Sequence, residues 1–188
     1  DFDHFQLPNA ECGQFARQSL GTDPHAPVLC YLGSLGGYYL LDERMRFFSV
    51  FRDQKPGARF LFITREPAIM IRRHAARLGI GSDEIVVRAA DRDEIPKLLA
   101  AADFGISFIH PTFSKIASSP TKLGEIVAVG IPMIVNAGVG DTDTIMADIG
   151  AGVVLDQFDE GSLRKAAASI CAFRSSPAKI REGAMRWF

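Results

Sequence analysis

Hydrophobic positions along this chain alternate between two patterns. Short unbroken apolar runs occur as VLCYL at 28–32, RFLFIT at 59–64, EIVVR at 84–88, DFGISFI at 103–109, PMIV at 132–135 and GVVL at 152–155. Runs of this length describe strands buried on both faces. Between them lie stretches whose apolar residues recur every three or four positions, the spacing of amphipathic helices. In 39–54, for example, Leu41, Met45, Phe48 and Phe51 share one helical face. Further helices are expected over 68–78, closed by Gly79, over 92–101, from Pro120 until Gly130 and Pro132 stop it, over 160–173, and over 177–188. A shorter helical candidate, 10–19, precedes the first strand. Buried strands alternating with helices predict a Rossmann-like, doubly wound α/β domain: a parallel sheet of about six strands with helices on both faces.

Composition narrows the functional classes. The chain has 188 residues, 47% apolar and 23% charged, which suits one globular domain with a sizeable core. A net charge of −1 supplies no basic field for nucleic acid, and no apolar run is long enough to span a bilayer. Cys12, Cys30 and Cys171 are odd in number and widely spaced, which fits neither a metal cluster nor a disulfide framework. They suit a reducing, cytoplasmic setting. The N-terminus DFDHFQLPN has no initiator Met and no apolar signal segment, so the chain is expected to begin mid-protein. Residues 1–26, punctuated by Pro8, Gly21 and Pro24, read as a connector or an exposed arm, and 27–188 as the domain proper.

In such sheets ligands bind beyond the carboxyl ends of the strands, so the loops there carry the candidate chemistry. Ser119 is a good N-cap and Pro120 suits the first helical position. The free amides of Thr121, Lys122 and Leu123, with the Lys122 ammonium, then favour a phosphate. Glu125, one turn further in, can accept hydrogen bonds from sugar hydroxyls. The simpler alternative is a capped helix with a solvated Lys and Glu. After the first strand, Gly33, Ser34, Leu35 and Gly36 begin a glycine-rich loop whose amides can face phosphate, although GSLGG lacks the G-x-G-x-x-G spacing of a dinucleotide site. Arg65, directly after the second strand, reads first as a surface residue and second as a forked phosphate ligand.

The segments PTKLGEIVAVGIP at 120–132, GVGDTDTI at 138–145 and AGVVL at 151–155 together resemble the C-terminal, donor-binding half of family 4 (group 1) glycosyltransferases, whose two-domain architecture is GT-B. The resemblance spans most of the chain. It implies that Glu125 binds the ribose of a nucleotide sugar, that the preceding loop with Ser119 and Pro120 binds its diphosphate, and that Arg88, Ala89 and Ala90 form the base-reading segment. It also implies that DFDHF marks the exit from an N-terminal acceptor domain absent from this chain. The donor would be a nucleoside-diphosphate sugar, used with no cofactor.

Two departures from the family pattern stand out. Ser34 occupies the place of an Arg and the loop has no Lys; Ala117 occupies the place of the first of two glutamates. His110, Ser114, Lys115 or Ser118 are alternatives for the donor-sugar contact, and the catalytic residues stay unassigned. No metal site is expected, because Asp91 to Asp93 begins a helix and Asp141 to Asp143 reads as another N-terminal cap. The resemblance thus implies a retaining hexosyltransferase of polysaccharide biosynthesis, inactive without its other half, and located in the cytoplasm or at the inner face of a membrane. A GT-B sugar-nucleotide epimerase and a non-catalytic nucleotide or sugar-phosphate sensor are the alternatives.

Overall fold

The computed structural model describes residues 1–37, 39–113 and 121–188. Its strands are β1 (Val28–Leu32), β2 (Arg59–Ile63), β3 (Ile85–Arg88), β4 (Phe104–Ser107), β5 (Met133–Asn136) and β6 (Gly152–Leu155). They form one sheet in the order β3-β2-β1-β4-β5-β6, every pair parallel. The helices are α1 (Ala10–Ser19), α2 (Leu41–Gln54), α3 (Ala68–Arg77), α4 (Ile95–Leu99), α5 (Thr121–Ala128), α6 (Thr142–Ile149), α7 (Glu160–Ala172) and α8 (Pro177–Ala184). This is the expected doubly wound architecture. The winding direction reverses between β1 and β4, which opens a crevice above their carboxyl ends.

Strand pleating divides the core in two. Val28, Cys30 and Leu32 face a layer built with α4, α5, α6 and α8, and Leu29 and Tyr31 face a layer built with α2, α3 and α7. All five β1 residues are buried, as a central parallel strand requires. The second layer is rich in aromatic rings: Phe60 lies tilted against Phe62 with centroids 4.1 Å apart, and Phe47 meets Phe108 edge-on at 6.0 Å. Leu41, Met45, Phe48 and Phe51 are all buried there, as their spacing predicts. Burial of Cys30 also pushes its thiol pKa up, which suits a core residue rather than a reactive one.

Several element boundaries differ from expectation, for local reasons. α2 starts at Leu41 rather than near 39, because Tyr39 bridges Ile109 and the Leu40 amide donates to the Phe108 carbonyl. The expected helix over 92–101 is a 3-10 turn, Arg92–Glu94, followed by α4 with Pro96 in its first turn. Asp91 and Glu94 form a reciprocal capping box at that turn, so Asp91 does begin a helix. Asp141 occupies the N-cap position of α6 but makes no capping bond with its side chain; Asp143 instead accepts a long bond, 3.4 Å, from the Gly138 amide. Gly130 ends α5 with φ of 78°, where a Cβ would lie 2.6 Å from the Pro177 Cβ.

The segment before β1 is packed rather than extended as an exposed arm. Phe5 and Leu20 are buried in the first core layer, and Asn9 caps α1 by accepting from the Cys12 amide at 2.8 Å. Arg181 of α8 fastens this segment by donating to the carbonyls of Phe2 at 2.7 Å, Ala128 at 2.6 Å, and Phe5. Among the described residues, no helix is long and apolar enough to cross a membrane.

Candidate functional site

Above the switch point, a cleft of about 230 Å³ is lined by Gly33, Ser34, Thr64, Arg65, Ala90 and Lys122, with Leu32, Ile63, Glu66 and Ile95 completing its wall. Strand order brings these residues together from the ends of three neighbouring elements and from the start of α5. β1 is followed by Gly33, whose amide donates to the Ile63 carbonyl at 3.1 Å. Its φ of 140° suits glycine, and an added Cβ would meet the Tyr31 hydroxyl at 3.2 Å. Ser34 and Gly36 are exposed, whereas Leu35 turns into the core beside Tyr31 and anchors the loop.

Thr64 is held at the end of β2 by donating its amide to the Arg88 carbonyl at 2.9 Å, and its hydroxyl accepts from the Glu66 amide at 3.2 Å. Arg65 then leans across to Asp91, 2.6 Å away, with 77% of its side chain exposed. A pair this exposed adds little stability and exchanges readily for an anion. Ala90 lines the cleft, but Arg88 and Ala89 turn away from it. They border a separate groove of about 740 Å³ between α1 and α4, where Arg88 donates to its neighbour's carbonyl, that of Val87.

Lys122 is shared by two clefts. Its second cleft, about 470 Å³, is lined by Thr121, Lys122, Glu125, Arg92, Asp1 and Phe188 among others. There Lys122 Nζ lies 2.9 Å from one Glu125 carboxylate oxygen and 3.2 Å from the other. Arg92 Nη1 lies 3.6 Å from the same carboxylate, and Arg92 Nη2 donates to Asp1 at 3.1 Å. The Glu125 side chain is only 13% exposed. The lysine and glutamate expected to act separately, on phosphate and on sugar, thus neutralise each other here. Ser119 and Pro120, expected at the start of this helix, lie outside the described residues, as do Ser114, Lys115, Ala117 and Ser118. His110 is exposed on the loop leaving β4.

Two contributors escape a reading of the sequence. Arg92 is recruited to Glu125 from the turn after β3, and only the DRDE capping pattern around it hints at a fixed position. Asn136, at the end of β5, is buried and clamps the chain leaving β4: it accepts from the Ile109 amide at 2.8 Å and donates to the Ile109 carbonyl at 2.9 Å. That double bond fixes where the loop toward α5 departs. Among the described residues, no group of three or more His, Cys, Asp and Glu side chains could hold a metal ion.

The two clefts meet at Lys122: the first offers exchangeable cations beside the glycine-rich loop, and the second holds the largely buried Glu125 carboxylate. Chemically, that set suits a polar ligand with an anionic centre and neighbouring hydroxyls.

No protein-family model matches the chain, and no curated protein matches it in sequence. Solved structures do share its fold. It superposes on WaaG, a glycosyltransferase involved in lipopolysaccharide biosynthesis, with a TM-score of 0.72 and 19% identity, over 97% of this chain and 47% of that one. Against HepE from Anabaena, solved with UDP and glucose, the TM-score is 0.72 and the identity 14%, over 99% of this chain and 49% of that one. Against the C-terminal domain of LpcC, a glycosyl transferase group 1 family protein from Francisella tularensis, the values are 0.70 and 15%, over 99% and 94%. The chain spans about half the length of WaaG and HepE and nearly all of the LpcC domain. Identities this low establish a shared fold: the doubly wound domain found in group 1 glycosyltransferases.

Proposed function

We propose that this domain binds a nucleoside-diphosphate sugar and forms the donor half of a retaining, family 4 glycosyltransferase that transfers a hexosyl group to an acceptor held by a second, N-terminal domain. The observation that carries the reading is the convergence of the Gly33–Ser34 loop, Arg65 and the Lys122 end of α5 on one cleft at the topological switch point. In this reading the diphosphate lies against the loop amides and the positive end of α5, with Lys122 released from Glu125 to meet it. Charge that develops on the departing diphosphate is stabilised by donors already in place, which is how an electrostatic site lowers a barrier. Glu125, relieved of Lys122, accepts from the ribose hydroxyls, and the backbone at Ala90 borders the base.

Thermal-shift measurements of the chain with UDP, GDP, ADP and dTDP test the proposal. A ligand at about 100 times its Kd adds about 2.7 kcal/mol, which for a domain of this size raises Tm by about 5–10 °C. One nucleotide is expected to do so, and its nucleoside to do much less. No shift with any of the four would refute the reading.

A further inference from the structure

Arg44, on the first turn of α2, is fully buried, and its Nε and Nη1 have no hydrogen-bond partner among the described residues. Its Nη2 reaches the Phe108 carbonyl at 3.3 Å, and its guanidinium carbon sits 3.8 Å from the centre of the Tyr31 ring. Among the described residues no carboxylate lies within ion-pairing distance of it; Glu43 and Glu66 act on the Arg44–Tyr31 pair only at longer range. Arginine is not deprotonated in proteins, so an uncompensated positive charge is buried here. A methionine would fill similar space without that desolvation penalty.

What lies beyond the charge is the glycine-rich loop. The Tyr31 ring that carries Arg44 on its face donates its hydroxyl to the Ser34 carbonyl. That carbonyl is therefore drawn inward, and in a planar trans peptide the Leu35 N–H of the same unit points the opposite way, out of the core. The loop from Gly33 to Leu41 contains no Lys or Arg of its own.

We infer that Arg44 and Tyr31 form a positioning pair beneath the Gly33–Gly37 loop, which turns loop amides toward the cleft and places a buried positive charge behind them for the diphosphate of a nucleotide. The inference rests on the proposed reading of the cleft as a diphosphate site. A charge in a low-dielectric interior acts over several ångströms with little screening, so it contributes to anion affinity without touching the ligand. A purely structural arginine would affect stability but not the preference for anions.

The test is calorimetric titration of the chain with inorganic pyrophosphate, repeated with the nucleoside diphosphate that gives the largest thermal shift and with its nucleoside. Three variants are compared with wild type: Arg44→Met, Arg44→Lys and Tyr31→Phe. Arg44→Met is expected to weaken pyrophosphate and nucleoside diphosphate about tenfold and the nucleoside less than about twofold, a difference on the order expected for one buried charge. Arg44→Lys, which keeps the charge, is expected to stay within about threefold of wild type. Tyr31→Phe is expected to weaken pyrophosphate by about threefold while keeping the ring stack. Wild-type affinity in Arg44→Met, or equal losses in Arg44→Met and Arg44→Lys, would overturn the inference while leaving the diphosphate site intact. A wild type that binds neither pyrophosphate nor any nucleotide would instead overturn the site reading, and the inference with it. If Arg44→Met does not fold, Tyr31→Phe decides: unchanged pyrophosphate binding refutes the pair.

Discussion

Lys122 and Glu125 are the side chains whose pairing most changes what substitutions should do. Because their charges are matched within hydrogen-bond distance, under the proposed function each masks the other's affinity for ligand. Lys122→Ala is expected to weaken nucleoside-diphosphate binding by about 1–3 kcal/mol, since it removes a cation and leaves Glu125 to repel the phosphates. Glu125→Gln has opposed effects: it frees Lys122 and Arg92, so inorganic pyrophosphate binds more tightly, while the nucleoside binds more weakly by up to about 1.5–3 kcal/mol. Titrating both variants with pyrophosphate and nucleoside separates the two. If 2′,3′-dideoxynucleotides bind wild type as well as ribonucleotides, the role given to Glu125 is wrong. Tyr31 provides a pH signature. Burial, first among its causes, pushes its pKa from 10.0 up to about 12, with Arg44 opposing the rise. The folded state thus favours the neutral phenol. Its contribution is complete below pH 10 and is lost as pH rises toward 12, an effect of about 2–3 kcal/mol for a shift of this size. Urea titrations at pH 9 and pH 11.5 should show a larger decline for wild type than for Tyr31→Phe; parallel declines would contradict it.

Among the elements, α5 is held from both sides. Its first turn reaches both clefts, Phe188 packs close to Gly124, and Arg181 of α8 ties the Ala128 carbonyl to the segment of Phe2 and Phe5. Asp1 then reaches Arg92, and Arg92 reaches Glu125. Arg181→Met should remove the hydrogen bonds of a partly buried cation, costing about 2–3 kcal/mol, or about 5–10 °C in Tm. It should also loosen the restraint on Glu125. Chemical denaturation measures the first effect, and a change in nucleoside affinity the second; wild-type stability would show that the clasp is ornamental. Leu123, Ile126 and Val127 fall at helical spacing along the chain, and all three are buried. Arg44 was hidden within an equally regular pattern, because it occupies the buried face between Leu41 and Met45, where a charged residue is ordinarily read as solvated.

At the level of the domain, the reading predicts a division of labour: this chain binds donor but transfers no sugar, since transfer requires donor and acceptor to be held together. Incubation with a radiolabelled nucleotide sugar and candidate acceptors is expected to give no glycoside. Turnover by this chain alone would mean that the acceptor site lies within it. The order β3-β2-β1-β4-β5-β6 sets the ends of β1, β2 and β3 side by side and brings the start of α5, which follows β4, against them, and the cleft lies between these parts.

The linear order of residues was enough to establish the alternation of strands and helices, the two-sided burial of the sheet and the helix that starts beside Lys122. These depend on periodicity, caps and glycine stops, all of which act over a few residues. It also made Gly33, Ser34, Arg65 and Lys122 candidates, because each follows a strand or begins a helix, while Ala90 became one through the family resemblance. Tertiary structure decided which of them meet. Leu35 was turned inward to fill the space beside Tyr31, Arg88 and Ala89 were directed to the groove under α1, and Arg92 was brought to Glu125 from the turn after β3. Such long-range pairings depend on strand order and on how side chains share a finite buried volume, and neither leaves a local signal in the chain.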